Sequence, residues 1–297
     1  MCPMSTTHHT VRWALVGFVT LGALLGTVAA QVYEDHPAQP ARAAQMQTIR
    51  VENVTELQAL FESHAYAWPL KPDAMPSLAL EAFPPDFATL ANIELKKSLF
   101  VRAMLPIVVA ELDRVAYQRK LVDFLWRPDA LTDIKDYRAV VSTIAQRYRV
   151  RGDLPSNQRG NLMWRLDSLP VAMVLAQAAL ESGWGTSKYA LENNNLFGVY
   201  TPHGNSGRTI KQYASLRDSV RDYLSTVNTH PAYQDLRALR AGMRIQNQAL
   251  DTNILVQGLV KYSERGEDYV DDVLRMLRGS LFMQIQRAEP TLTSAAI

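Results

Sequence analysis

The chain has 297 residues, a formal net charge of +2, 47% hydrophobic and 20% charged residues, a globular composition long enough for one large domain or a domain with an appendage. The pI of about 8.6 is too mild to mark a nucleic-acid binder, and no RNP, zinc-finger or basic-helix pattern accompanies it. Cys2 is the only cysteine, which excludes an intramolecular disulfide and a cysteine-zinc site.

Arg12 precedes an uncharged apolar run at 13–30 that ends in Val28-Ala29-Ala30. A positive flank, an apolar core and small terminal residues read as an export signal. The run is also close to the roughly 20 residues that span a bilayer. A cleaved signal peptide and an uncleaved inner-membrane anchor therefore both fit residues 1–30. Either one implies a periplasmic or cell-envelope location. Cys2 precedes the run, the wrong side for a lipoprotein signal. An exported chain without disulfides must rely on an ordinary apolar core.

Residues 31–47 are rich in Ala, Pro and Gln, lack periodicity and read as a linker. From 49 to 82, Pro69, Pro72 and Pro76 break short apolar clusters, and one short helix is expected near 54–63. Linker and N-terminal extension together occupy 31–82, and a lid and a spacer fit them equally.

Asn92 is an N-cap candidate. After it Phe100, Ala103, Met104, Ile107, Val108, Leu112 and Val115 recur at helical spacing, with Pro106 expected to kink the helix. Two more helices are expected at 137–148 and 157–166. Ser168-Leu169-Pro170 marks a further start, with Ser168 as cap and Pro170 in the first turn. That helix runs to about Ser182, where Gly183 and Gly185 end it. Val171, Val174, Ala178 and Glu181 share one face, so Glu181 emerges from the apolar stripe.

Segments 196–200 and 209–213 flank His203-Gly204-Asn205-Ser206-Gly207 and predict a small β-hairpin. Ser215-Leu216-Arg217-Asp218 is a capping box opening a helix to about 229. Helices are expected at 231–244, 252–262 and 269–283, followed by a loose tail at 287–297. No internal repeat is present. The sum is a mainly α (α+β) domain with one hairpin between helices.

Glu181 is the residue with most chemical promise. A carboxylate at a helix C-terminus meets the negative end of the macrodipole, and apolar neighbours with Trp184 desolvate it. Both effects raise a carboxyl pKa, as a general acid for glycosidic cleavage requires. There is no H-E-x-x-H, G-x-S-x-G, P-loop or dinucleotide fingerprint, and neither His203 nor His230 has a partner at metal spacing. No metal and no cofactor are expected. Glu111 lies on the apolar stripe of the kinked helix, read as a buried, hydrogen-bonded or peripheral glutamate, with a groove contact as the alternative. Arg147, Arg149 and Arg151 form a basic cluster, read either as a solvated face or as a contact for peptide carboxylates.

Glu181-Ser182-Gly183-Trp184-Gly185-Thr186-Ser187 and Asn194-Asn195-Leu196-Phe197-Gly198 resemble the glucosaminidase family of peptidoglycan hydrolases (glycoside hydrolase family 73, with a mannosyl-glycoprotein endo-β-N-acetylglucosaminidase-like domain), and most closely its Bax-like bacterial branch. Phe83-Pro84-Pro85-Asp86-Phe87, Leu105-Pro106-Ile107-Val108, Asn228-Thr229-His230-Pro231-Ala232-Tyr233 and Tyr262-Ser263-Glu264-Arg265-Gly266 follow in the same order. The resemblance implies a lysozyme-like helical domain at 83–286 with a small β-hairpin lobe. It implies cleavage of the β-1,4 bond after N-acetylglucosamine in peptidoglycan glycan strands, with Glu181 as general acid. Tyr262 corresponds to a family tyrosine that positions the acetamido group or the attacking water. Asn195 and Phe197 would line or support the groove. Trp184 would either pack behind Glu181 or offer a sugar platform.

One departure matters. Glycosidases usually pair two carboxylates, yet no Asp or Glu occurs from Asn193 through Arg217. Asp218 and Glu264 remain as candidates for the second acid, Asp218 being read first as a capping-box residue and Glu264 equally as an ion-pair partner of Arg265 or a groove contact, while Glu192 reads as a solvated loop residue. Alternatively the substrate acetamido oxygen attacks, Tyr262 holds a water, or Glu181 acts alone. A non-catalytic peptidoglycan-binding or scaffold module and a lytic transglycosylase-like lyase are the competing functions.

Overall fold

The computed structural model describes residues 45–69, 71, 74–125, 135–151, 156–202 and 207–294. The apolar run at 13–30, most of the 31–47 linker and the hairpin tip at 203–206 lie outside them. Among the described residues no helix is long and apolar enough to cross a membrane.

The fold is mainly α-helical with two small two-stranded sheets among the described residues. The extension holds more structure than the sequence suggested. Strands β1 (Gln47–Ile49) and β2 (Leu78–Leu80) pair in parallel, with Thr48 opposite Ala79. Between them lies α1 (Val54–Ser63), which matches the expected short helix. Its N-terminus is capped twice, because Asn53 accepts from Glu56 N and Asp86 accepts from Val54 N at 3.0 Å. Leu57, Phe61 and Tyr66 are buried in the main core.

Helix α2 (Ile93–Leu125) starts where Asn92 predicts, its side chain accepting from Leu95 N at 3.0 Å. It continues unbroken through Pro106. Helices α3 (Lys135–Arg147) and α4 (Ser156–Arg165) follow close to the expected bounds.

The central element is α5 (Val171–Ser182), packed against α2 and the C-terminal helices. Every residue from Val171 to Ala179 is buried. The expected Ser168 cap does not form. Pro170 is the N-cap and lends no side-chain bond. Instead Val171 N donates to Glu289 Oε1 at 2.7 Å. A buried helix end needs an acceptor for its free N–H groups, and a carboxylate suits the positive end of the dipole. The loop entering α5 is tied by arginines: Arg244 and Arg240 pair with Asp167 at 2.9 and 3.8 Å, and Arg240 also donates to the Asp167 carbonyl.

After α6 (Lys188–Asn193), strands β3 (Tyr200–Pro202) and β4 (Arg208–Ile210) form an antiparallel hairpin where one was expected, with the first strand displaced to begin at Tyr200 and both only three residues long. Helix α7 (Leu216–Thr229) opens on Ser215, whose Oγ accepts from Asp218 N. A 3-10 turn (Pro231–Tyr233) leads into α8 (Gln234–Ile245). The helix expected at 252–262 is shorter, α9 (Thr252–Val256) passing into a 3-10 turn (Gln257–Leu259).

The C-terminal reading is corrected. The single helix expected at 269–283 is two, α10 (Glu267–Leu277) and α11 (Ser280–Ser294), and α11 takes up most of the expected loose tail. Phe282 and Ile285 are buried, and α11 packs on α5. Leu281, Phe282, Ile285 and Ala288 recur at helical spacing, so the segment has an apolar face to bury.

Candidate active site

Glu181 sits in the last turn of α5, at an open groove of about 230 Å³. The turn after it uses three consecutive left-handed residues, Gly183 (φ 57°), Trp184 (φ 60°) and Gly185 (φ 79°). Buried Ser182 braces this turn by accepting from Gly185 N at 2.8 Å. A Cβ on Gly185 would lie 2.8 Å from the Phe83 ring, so only glycine lets that ring pack under the turn. Phe83 stacks in turn on Phe87 and Phe100. The Phe-Pro-Pro-Asp-Phe segment therefore buttresses the turn that carries Glu181, while its Asp86 anchors α1.

The Asn-Leu-Phe-Gly segment forms the facing wall. Gly198 has φ 62°, and a Cβ there would sit 3.7 Å from Glu181 Oε2. Phe197 is buried, borders the groove and stacks on Tyr223 at 4.1 Å. Asn195 is buried behind it. Its Nδ2 donates to the carbonyls of Val199 and Lys211, both at 2.8 Å, and its Oδ1 accepts from Val199 N. The Asn195 side chain thus joins the two strands at the base of the hairpin and sets Phe197 and Gly198 against Glu181.

Tyrosines surround the carboxylate. Tyr262 borders the groove, and its hydroxyl donates to the Phe197 carbonyl at 3.3 Å. It stacks on Tyr269 at 5.0 Å and lies 5.9 Å from Tyr233. Tyr269 donates to the Glu181 carboxylate and accepts from Gln177 Nε2 at 3.0 Å. Gln177 Oε1 in turn accepts from the Tyr223 hydroxyl. A buried hydrogen-bonded line therefore runs from Tyr223 through Gln177 and Tyr269 to Glu181.

The electrostatics follow from this burial. Desolvation raises the Glu181 pKa, and the Tyr269 hydrogen bond and the Arg265 charge only partly offset it. Burial also raises Tyr223, Tyr233, Tyr262 and Tyr269, and the nearby Glu181 charge adds to each shift. These phenols stay neutral near pH 7.

The remaining sequence candidates fall elsewhere. Trp184 packs between Phe100 and Phe282, at 5.7 and 5.9 Å, with Lys97 over its ring; it does not border the groove. Glu264 is exposed, and its neighbour Ser263 is the residue at the groove. Asp218 is engaged with Ser215 and Arg221 and borders a different cavity. Glu192 is exposed and 4.0 Å from Lys188. His230 accepts from Ala232 N as a turn cap, and His203 lies outside the described residues. Among the described residues no group of three metal-ligating side chains occurs. Of the readings offered for Glu111 the buried, hydrogen-bonded one holds: it is fully buried and joined to Arg114, Arg217 and Arg221.

Gln177, Tyr223 and Tyr269 were not singled out by the sequence, and Tyr233 entered only as the end of the Asn228–Tyr233 segment. Gln177 sits four residues before Glu181, one helical turn away, which was the one available signal. Tyr223 and Tyr269 come from two distant helices and carry no local signature.

The model of the family described as glucosaminidase, mannosyl-glycoprotein endo-β-N-acetylglucosaminidase, matches residues 161–279. That span runs from α4 to the end of α10 and includes Glu181, the hairpin and the groove tyrosines. Protein bax of Escherichia coli (strain K12) is 34% identical over 187 residues, covering 59% of this chain and 66% of that protein. No solved structure matches. With the helical fold, the hairpin lobe and these two matches in agreement, the chain belongs to the glucosaminidase family of glycosidases, in its Bax-like branch.

Proposed function

We propose that this protein is a peptidoglycan hydrolase of the cell envelope that cleaves the β-1,4 bond after N-acetylglucosamine, with Glu181 as general acid. One observation carries the reading. Glu181 is a desolvated carboxyl with a raised pKa, positioned by a buried hydrogen-bonded line at the mouth of a groove. A raised pKa favours the protonated form, the form in which a carboxyl delivers a proton to a leaving glycosidic oxygen. The glucosaminidase unit occupies 83–286, with the described residues of 45–82 packed on it and the 13–30 run as the export or anchoring element.

Glu181 is the one carboxylate bordering the groove among the described residues. The second function falls to a water or to the substrate acetamido oxygen, an alternative other glycosidases use. Tyr262 positions that group. Its hydroxyl is neutral and only weakly held at 3.3 Å by the Phe197 carbonyl, so it can reorient toward a sugar. Asn195 and Phe197 support the wall, while Trp184 packs behind the acid. The missing second acid favours one other reading, a glycan-binding module without turnover.

Replacing Glu181 by Gln keeps the shape and removes the proton. Release of reducing ends from purified peptidoglycan should fall by about 10²- to 10⁴-fold, with an unchanged circular dichroism spectrum and melting temperature. Wild-type-like activity in the variant would sink the assignment. Strand binding by the wild type without any product supports the binding module. Products one water lighter than hydrolysis gives would point to a lyase.

A further inference from the structure

A second cavity, of about 330 Å³, lies on the other side of α7 from the groove. Tyr223, Thr226 and Val227 face the groove, whereas Asp218, Arg221, Asp222 and Ser225 face this cavity. At 100° per residue the two sets occupy opposite faces of the helix. The hairpin base is the common wall, because Lys211 N, on the cavity side, donates to the Val199 carbonyl, on the groove side, at 2.9 Å.

Four cations line the cavity, Arg114, Arg147, Lys211 and Arg221, against two carboxylates, Asp218 and Asp222. Both carboxylates are already engaged. Asp222 accepts from the Tyr213 hydroxyl at 2.7 Å and pairs with Lys211 at 2.9 Å. Asp218 accepts from Ser215 and pairs with Arg221 at 3.3 Å. Beneath them, Arg114 and Arg221 share the single buried carboxylate of Glu111 with Arg217. Arg147 is exposed at the rim, with the Gln118 side-chain amide 3.1 Å away, its oxygen accepting once the amide is turned toward the arginines. The lining thus carries surplus positive charge on planar guanidiniums held in place from below. That is a fork geometry suited to carboxylates.

We propose that this cavity is a carboxylate subsite that holds the acidic peptide attached to the glycan strand while the sugars occupy the groove. The anion preference stands on the cavity itself. The identification of the anion as a strand peptide rests on the peptidoglycan reading above.

The test uses the full chain and a sugar-free synthetic tetrapeptide with two free carboxylates, followed by titration calorimetry. Saturable binding is expected, weakened by added salt. Arg147→Glu should reduce affinity at least tenfold and Arg147→Lys less. Arg147 is exposed, so the variant should fold, and its melting curve checks this. Lys211→Gln is the second variant and should also weaken binding. On polymer, Arg147→Glu should lower the preference for peptide-bearing over peptide-stripped strands about tenfold.

Absence of saturable binding, or equal affinity in Arg147→Glu and wild type, overturns the proposal. Displacement of the peptide by equimolar inorganic phosphate overturns it too, and assigns the site to a phosphate-bearing polymer. Peptide binding is measured without sugar. Failure of the glycosidase reading would therefore show as unbroken strands with peptide affinity intact, and failure of the subsite as cleaved strands with no peptide affinity.

Discussion

Glu111→Gln isolates the charge that holds the hairpin-side helix to the core. Glu111 is fully buried on α2 and reaches Arg114 on its own helix and Arg217 and Arg221 on α7, at 2.6 to 3.1 Å. Burial alone would raise its pKa, but the Arg221 hydrogen bond and the Arg114 and Arg221 charges outweigh it and hold the carboxyl at about 2. Against an ordinary value of 4.5 that shift corresponds to about 3 kcal/mol of stability. Breaking a buried ion cluster from one side gives a similar figure, about 3 to 5 kcal/mol.

The folded-state pKa is depressed, so this stability is present above pH 4.5 and is lost as pH falls through about 2. The variant should therefore be about 3 kcal/mol less stable than wild type at pH 7. At roughly 2–4 °C per kcal/mol for a domain of this size, the melting temperature should fall by about 6 to 12 °C. The difference should narrow steadily in urea melts taken from pH 5 towards pH 2. A loss below about 1 kcal/mol at pH 7, or a gap that does not close on acidification, would refute the ion-cluster argument.

Three further outcomes follow from the geometry. Tyr269→Phe deletes the hydrogen bond that lowers the Glu181 pKa; the alkaline limb of the activity profile should move to higher pH, and an unmoved or lowered limb contradicts the hydrogen-bonded line. Glu289 is raised from 4.5 to about 7, chiefly by burial, so its contribution is complete below pH 4.5 and lost as pH rises through 7. Glu289→Gln should keep an acceptor for Val171 N and raise stability at pH 8 by about 2 kcal/mol, discounted for partial exposure, with little change at pH 4; equal melting temperatures at pH 8 would contradict this. A Cβ on Gly258 would meet Leu236 Cα at 2.4 Å and its N at 2.5 Å, a clash with backbone that cannot rotate away. Gly258→Ala should cost about 2 kcal/mol or more in denaturant melts, and a wild-type midpoint would show that the turn and α8 can separate.

The local signals in the sequence were read well where the physics is local. Asn92 and Ser215 cap helices because the bond they accept lies three residues away. Gly183 ends α5 because its left-handed backbone needs no partner beyond the preceding turn. The same local logic located Glu181, since helical spacing and the dipole are properties of a single element.

Other features were decided through space. Strands β1 and β2 are three residues each and some thirty residues apart, too short for an alternation signal. The Ser168 cap failed because a carboxylate 118 residues away occupies that helix end. The C-terminal helix is stabilised by burying Phe282 and Ile285 on α5, which a reading of a mildly apolar tail does not register.

The chain by itself therefore determined the order of helices, the hairpin, and the identity of a candidate acid in a characteristic turn, because caps, glycines and periodicity act within one element. Only the tertiary structure decided what stands around that acid. Gln177, Tyr223 and Tyr269, which join Tyr262 there, come from the central helix and from segments spread over the following 92 residues. It also separated Asp218 from Glu181 across the width of α7 and placed Trp184 behind the acid rather than in the groove. Burial and hydrogen bonding between distant elements set the Glu181 pKa, and those are sums over neighbours that exist only once the chain has packed.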